Sequence, residues 1–284
     1  LFAKSLCKTR GMNVTSPRPW AELGADATTR LLGVLTDIDD TLTTDGAITP
    51  DALTALAQLK AAGLHVIAIT GRPMGWSEPF ARAWPIDAIV AENGAVALFR
   101  EGDALRVEYA QDEATRTRNA RRLREVAARV LREAPGTTLA QDSAGRVTDI
   151  AVDHSEFTQL SPAQIDAVVA LMRREGMNAT VSSIHVNGWF GEHTKLSGAQ
   201  WIVQRLLGRT LRADDWVYVG DSTNDQLMFG HFPLSVGVAN LMAFADALTV
   251  WPAYITQGER GAGFKEVALT LCSAAPSSRA ASRR

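Results

Sequence analysis

The sequence predicts an α/β protein: a doubly wound, Rossmann-like parallel sheet with a second, α+β layer inserted into it. Three observations predict this. Apolar runs of strand length alternate with amphipathic stretches of helix length over most of the chain. Three of those runs end in acids or hydroxyls, at the strand ends where open parallel sheets bind ligands. The rhythm breaks once, between about residues 95 and 193, where short strands come in pairs and need antiparallel neighbours.

Leu31-Leu32-Gly33-Val34-Leu35 is an apolar run suited to a buried strand and too short for a helix. Asp37-Ile38-Asp39-Asp40-Thr41 follows it. Asp37 and Asp39 are two residues apart, so an extended backbone points both carboxylates to one side. Two acids so placed repel unless a cation joins them or one is protonated, and a hard oxygen-ligated ion such as Mg2+ meets that need. Taken alone, an acid pair of this kind is more often a polar turn with a capping aspartate. Thr49-Pro50 then opens a helix that stops at Gly63. Val66-Ile67-Ala68-Ile69 is the next buried strand, forming a right-handed βαβ unit with the first and ending in Thr70-Gly71-Arg72. A helix near 76–83 leads to Ala88-Ile89-Val90 and Glu92-Asn93-Gly94.

In the inserted region a helix near 112–134 presents Leu123, Val126, Ala127, Val130, Leu131 and Ala134 on one face. Its many arginines on the other face read as a solvated surface. Strands near 137–140 and 147–152 follow, then Ser161-Pro162-Ala163-Gln164 as a capping-box start for a second helix. Two further strands around Thr180 and Val186 complete an αββαββ order. Alternation resumes at Lys195, at the start of a helix running to about Leu207. Val217-Tyr218-Val219 is a strand ending in Gly220-Asp221-Ser222-Thr223-Asn224-Asp225. A strand at 234–238 and a closing helix at 263–271 finish the core.

DxDxT, a strand ending in TGR, a helix-borne lysine and GDSxND occur here in that order, each on the expected element. Together they resemble the haloacid dehalogenase superfamily of phosphatases, over roughly residues 30–270. The αββαββ insertion between the second and third motifs is similar to the large α/β cap of the Cof-type, sucrose-phosphate phosphatase and archaeal phosphoglycolate phosphatase subclass. Asp40 is a departure, standing where the family usually has glycine; aspartate tolerates unusual backbone angles better than most residues.

The resemblance implies Asp37 as nucleophile and Asp39 as general acid and base. It implies Thr70, the Gly71 amide, Lys195 and Asn224 around the phosphate. It also implies Mg2+ held by Asp37, the Asp39 backbone carbonyl and Asp221, with Asp225 either joining the metal shell or orienting Lys195. The implied activity is phosphatase action on a small phosphorylated metabolite, most readily a sugar phosphate, through an aspartyl-phosphate. A phosphomutase of the phosphomannomutase type and a non-catalytic ligand-binding protein are the alternatives. His154, His185 and His193 lack metal-ligand spacing and are expected to be structural or cap-lining; Trp189 and Phe190 are expected to pack the hinge.

The expected organisation is a disordered tail over 1–29, a core over 30–94 and 194–272, a cap over 95–193 and a second tail over 273–284. With 29 Lys+Arg against 31 Asp+Glu, the chain has no global charge for nucleic acid. Cys7 and Cys272 form no metal spacing or disulfide framework, which suggests a reducing cytoplasm. No apolar stretch approaches the ~20 residues that cross a bilayer, and a monomer or homodimer is expected.

Overall fold

The structure is a computed structural model and describes residues 16–273. The chain opens with a two-residue strand, β1 (Arg18–Pro19), and reaches the first buried strand, β2 (Gly33–Thr36). A small hairpin of β3 (Thr43–Thr44) and β4 (Ala47–Ile48) precedes α1 (Pro50–Ala61), β5 (His65–Ile69) and α2 (Met74–Ala83). Then come β6 (Ala88–Ala91), β7 (Val96–Glu101) and β8 (Ala104–Tyr109). The inserted layer runs through α3 (Glu113–Glu133), β9 (Thr138–Leu139), β10 (Asp149–Asp153), α4 (Pro162–Arg174), β11 (Asn178–Val181) and β12 (His185–Trp189). The chain returns through α5 (Lys195–Leu207), β13 (Trp216–Gly220), α6 (Gln226–His231), β14 (Leu234–Gly237), β15 (Tyr254–Ile255) and α7 (Arg260–Ser273).

The main sheet has the order β1-β15-β14-β13-β2-β5-β6-β7-β8, parallel from β1 to β6 and antiparallel from there to β8. From β2 the chain winds outward through β5 and β6, and later in the opposite direction from β13 through β14. The topological switch point therefore lies between β2 and β13, where a crevice opens at the carboxyl ends. Side-chain alternation divides the core into two layers. Val34, Val66, Ala68, Val217 and Val219 pack with α1 and α7; Leu35, Ile67, Ile69, Trp216 and Tyr218 pack with α5 and α6.

The inserted layer matches the expected αββαββ order. Its sheet, β11-β12-β10-β9, is antiparallel, and its own core of Leu123, Val126, Val130, Val152, Val168 and Met172 is separate from the other two. Leu131 is 43% exposed, so it lies off the apolar face on which it was expected.

Two expected boundaries need correction. The cap does not begin at residue 95, because β7 and β8 extend the main sheet. Val96–Phe99 are buried on both faces, and β7 folds straight back onto β6 through Glu92-Asn93-Gly94. Nor is the whole of 1–29 a loose tail. Arg18–Pro19 pair in parallel with Tyr254–Ile255, and Trp20 is 2% exposed in the α1/α7 core, donating from Nε1 to Thr270 Oγ1 at 3.0 Å. No periodicity marks this segment because one aromatic anchor and one edge pairing dock it. The expected tails over 1–15 and 274–284 lie outside the described residues.

A chain starting at Arg30 should therefore lose substantial stability. Trp20→Ala by itself should cost about 3–5 kcal/mol, the usual range for emptying a buried large aromatic site. Chemical denaturation measures this, and an unchanged midpoint would show that the segment contributes no packing.

Candidate active site

The switch point places the acids. The Asp37 backbone N–H donates to Val219 O at 2.9 Å, continuing the β2–β13 pairing one residue past the strand, so Asp37 and Asp221 leave adjacent strands side by side. Carboxylate oxygens of Asp37, Asp221 and Asp225 lie within 4.8 Å of one another, and all three residues are buried. Lys195, at the first turn of α5, places Nζ 2.9 Å from Asp37 and 2.7 Å from Asp225. Thr194 caps that helix by accepting from Ser197 N, which fixes where the lysine emerges.

One ammonium faces three carboxylates, leaving this cluster two positive charges short. Burial pushes Asp37 upward from its ordinary pKa; Lys195 opposes that rise, while Asp225 and Asp39 add to it. Asp221 is raised too, by burial first and then by Asp37 and Asp225. Burial would lower Lys195, but Asp225 and Asp37 outweigh it and hold the ammonium charged. Asp221 Oδ2 is buried with no hydrogen-bond partner, an oxygen free to meet a cation. Oxygen donors and a two-charge deficit fit a hard divalent ion such as Mg2+.

Asp225 differs from the other two acids. Its Oδ1 accepts from Lys195 and from the Tyr218 hydroxyl at 2.5 Å; its Oδ2 accepts from the amides of Asp221 at 2.9 Å and Ser222 at 3.2 Å. Four donors occupy this carboxylate, so its geometry suits holding Lys195 better than sharing a metal.

Asp39 faces outward from the cluster. Its carboxylate accepts from Arg72 Nε at 2.9 Å, with Thr70 Oγ1 3.5 Å from the other oxygen. Asp40 has φ of 53°, the left-handed backbone that explains how it replaces glycine. Its charge is offset by Arg260, whose Nε lies 3.1 Å away. Asn224 accepts from Ser222 Oγ at 3.0 Å and borders, with Lys195, a cavity of about 390 Å³. Gly71 lies under Asn93 and Asn187. Of the eight sequence-chosen residues, Asp37, Lys195, Asp221 and Asp225 are brought into one cluster, Asp39 approaches Thr70 beside it, and Asn224 borders a cavity with Lys195.

The sequence reading assigned no role to the residues that close the cap on this crevice. Arg72, 5% exposed, joins Asp39 to two cap acids, Glu156 at 2.8 Å and Asp142 at 3.2 Å. Glu92, fully buried with φ of 50°, accepts from the cap amides of Val147 at 3.1 Å and Thr148 at 2.6 Å, and from Met74 N at 3.0 Å. Arg146 of the cap donates to Gly71 O at 3.0 Å and pairs with Asp149 at 2.9 Å. Glu92 had a signal: an acid beside Asn-Gly, directly after a buried strand. The partners of Arg72 had none, because they lie 70 and 84 residues away in sequence.

The three histidines are buried, Phe190 belongs to the cap core rather than the hinge, and Trp189 borders the same cavity as Lys195. His185 donates from Nε2 to Glu156 at 2.8 Å; His193 is buried against Trp189 with neither ring nitrogen partnered. Trp189 donates from Nε1 to His193 O at 3.0 Å, and Phe190 packs under the Arg122 guanidinium.

The model for haloacid dehalogenase-like hydrolases matches residues 34–120. No curated protein matches. Among solved structures, the sucrose-phosphatase of Synechocystis sp. PCC6803 in complex with sucrose and phosphate is 18% identical, with a TM-score of 0.62, covering 86% of this chain and 98% of its own. The C-terminal domain of trehalose-6-phosphate phosphatase from C. albicans is 13% identical, with a TM-score of 0.64 over 92% and 99%. A Thermoplasma acidophilum protein is 16% identical, with a TM-score of 0.64 over 85% and 98%.

The cap seam should respond to acid. Burial would raise Glu156, but hydrogen bonds from His185 and Arg72 outweigh it and hold the carboxyl at about 2, against an ordinary 4.5. A depressed acid stabilises the fold above its unfolded value, and that contribution is lost as pH falls from about 4.5 toward 2. Glu156→Gln should therefore flatten the fall in melting temperature across that window; an unchanged slope would mean that this pairing contributes nothing.

The motif-level resemblance is borne out: the chain carries the fold of the haloacid dehalogenase-like hydrolases, with an α/β cap inserted after the second motif.

Proposed function

We propose that the protein is a magnesium-dependent phosphatase acting on a small phosphomonoester of the sugar-phosphate class. The observation that carries the reading is the buried cluster at the switch point: Lys195 paired with Asp37 and Asp225, and Asp221 beside them with an unpartnered oxygen. Similarity in fold to a sucrose-phosphatase and to a trehalose-6-phosphate phosphatase supports the substrate class.

Asp37 attacks phosphorus and becomes the aspartyl-phosphate, a route open to a carboxylate held beside a compensating ammonium. The bond from phosphorus to the leaving oxygen breaks, and that oxygen takes its proton from Asp39, which Arg72 holds at 2.9 Å. Asp39, now a base, takes a proton from water as it attacks the phosphoryl group, and phosphate leaves with Asp37 restored. Thr70, the Gly71 amide and Asn224 hold phosphate oxygens, while Lys195 balances charge. Mg2+ bound by Asp37, the Asp39 carbonyl and Asp221 would neutralise the transferring group. Asp225 positions Lys195.

Chelation should abolish hydrolysis of an aryl phosphate and Mg2+ should restore it; full activity in excess chelator would overturn the site. Mg2+ should also raise the melting temperature, an effect that Asp221→Asn removes. Rapid-quench mass spectrometry should find phosphate on the peptide containing Asp37, and Asp37→Asn should abolish it. Asp39→Asn should slow sugar phosphates by about 10²–10⁴-fold more than an aryl phosphate, whose leaving group needs little protonation. Equal losses on both would remove Asp39 from the acid role.

A further inference from the structure

Asp225 stands near enough to Asp37 and Asp221 to share a cation, with one oxygen from each of the three within 4.8 Å of the others. What holds it back lies behind it, in β13. Tyr218 is the one residue of Val217-Tyr218-Val219 with a polar tip. Its ring is fully buried and packs on Phe229, edge-on at 5.9 Å, and on Phe232, stacked at 6.0 Å. A ring so fixed holds its hydroxyl in one place, and a buried phenol needs a hydrogen-bond partner. That hydroxyl, protonated at neutral pH, donates to Asp225 Oδ1 at 2.5 Å, beside Lys195 Nζ at 2.7 Å.

Gly220 completes the hold from the other side. A Cβ there would stand 2.5 Å from Asp225 Oδ2 and 2.6 Å from its Cγ, and the φ of Gly220 lies outside the left-handed region. The glycine therefore answers a need for space rather than for conformation. That space lets Oδ2 turn back to the amides of Asp221 and Ser222, at 2.9 and 3.2 Å. Two donors on each oxygen match the lone pairs of a carboxylate and leave none for a metal. Asp221 is the contrast, with Oδ2 buried and unpartnered.

The number of carboxylates around a cation helps to decide which cation binds. Mg2+ is small, requires near-octahedral geometry and keeps several waters, so it is held through one or two carboxylates. Ca2+ is larger, takes about six to eight oxygens and accepts a further carboxylate readily. We infer that the Tyr218 hydroxyl is a positioning group that keeps Asp225 out of the cation's shell and thereby biases the site toward Mg2+ and against Ca2+. This rests on the reading of Asp37 and Asp221 as metal ligands. It goes beyond that reading by assigning the selectivity to a residue behind the ligands.

The test is calorimetric titration of the full chain, wild type and Tyr218→Phe, with MgCl2 and with CaCl2 in the absence of substrate. Phenylalanine keeps the packing on Phe229 and Phe232 and removes only the hydroxyl. The ratio of Ca2+ affinity to Mg2+ affinity should rise by about tenfold, the scale on which groups behind metal ligands act. Adding Asp225→Asn to Tyr218→Phe should return the ratio toward its wild-type value, because the gain comes through that carboxylate. Gly220→Ala crowds Asp225 off its two amides by a separate route. It should shift the ratio in the same direction, and it carries the test if Tyr218→Phe does not fold. An unchanged ratio, with both affinities lowered alike, would make the hydroxyl structural and overturn the inference. So would a shift toward Mg2+, or a gain in Ca2+ affinity that survives Asp225→Asn. A wild-type chain that binds neither cation would overturn the metal site and the inference together. The expected shift in a chain that binds Mg2+ but hydrolyses no aryl phosphate would support the inference and overturn the phosphatase reading.

Discussion

The structure depends on a charge imbalance buried at one point in the sheet. Asp37, Asp221 and Asp225 converge where the strand order reverses, and among the described residues Lys195 is the one cation paired with them. A cluster of this kind persists only if each group is held in place by elements that cannot yield. β2 and β13 are paired side by side in the middle of a nine-stranded sheet, with apolar layers on both faces. Tyr218, Lys195 and two backbone amides lock Asp225, and through it the lysine. The remaining negative charge is what suits the cluster to a divalent cation. Removing a partner from such a cluster is costly because it leaves an uncompensated buried charge.

The seam between cap and core is built differently. The cap has its own apolar core, so its contacts with the main domain over the crevice are polar: Glu92 with the 147–148 backbone, Arg146 with Gly71, Arg72 with Asp142 and Glu156. A polar seam can exchange its partners for water without exposing large apolar area, which suits a cap that admits and releases ligand. Arg72 links that seam to chemistry, since the guanidinium that grips the cap also grips Asp39. The cap contact and the orientation of Asp39, the proposed proton donor, are thereby joined through one side chain.

The same division governs how much was legible beforehand. The alternation of elements, the capping box at Ser161 and the αββαββ insertion follow from local pattern, and the structure carries them. The antiparallel extension by β7 and β8 was misplaced into the cap, because an apolar run does not say which sheet it joins. The docking of Trp20 was missed for the same reason: a single aromatic has no period. Asp40 shows the opposite case, a departure from motif whose tolerated backbone was readable from residue type and whose charge partner, Arg260, was not.

By itself the sequence determined which residues sit at the carboxyl ends of the strands, because strand length, terminal acids and helix starts are local properties encoded within a few residues. It determined in that way the four motif positions and their order. Tertiary structure alone decided their division of labour: that Asp225 is saturated by donors while Asp221 keeps an open oxygen, that Arg72 spans the cleft, and that Asn93 and Asn187 meet above Gly71. Those relations join residues up to 116 positions apart. Their strength depends on burial and on distances of a few ångströms, which the fold sets when the sheet, its helices and the cap pack together.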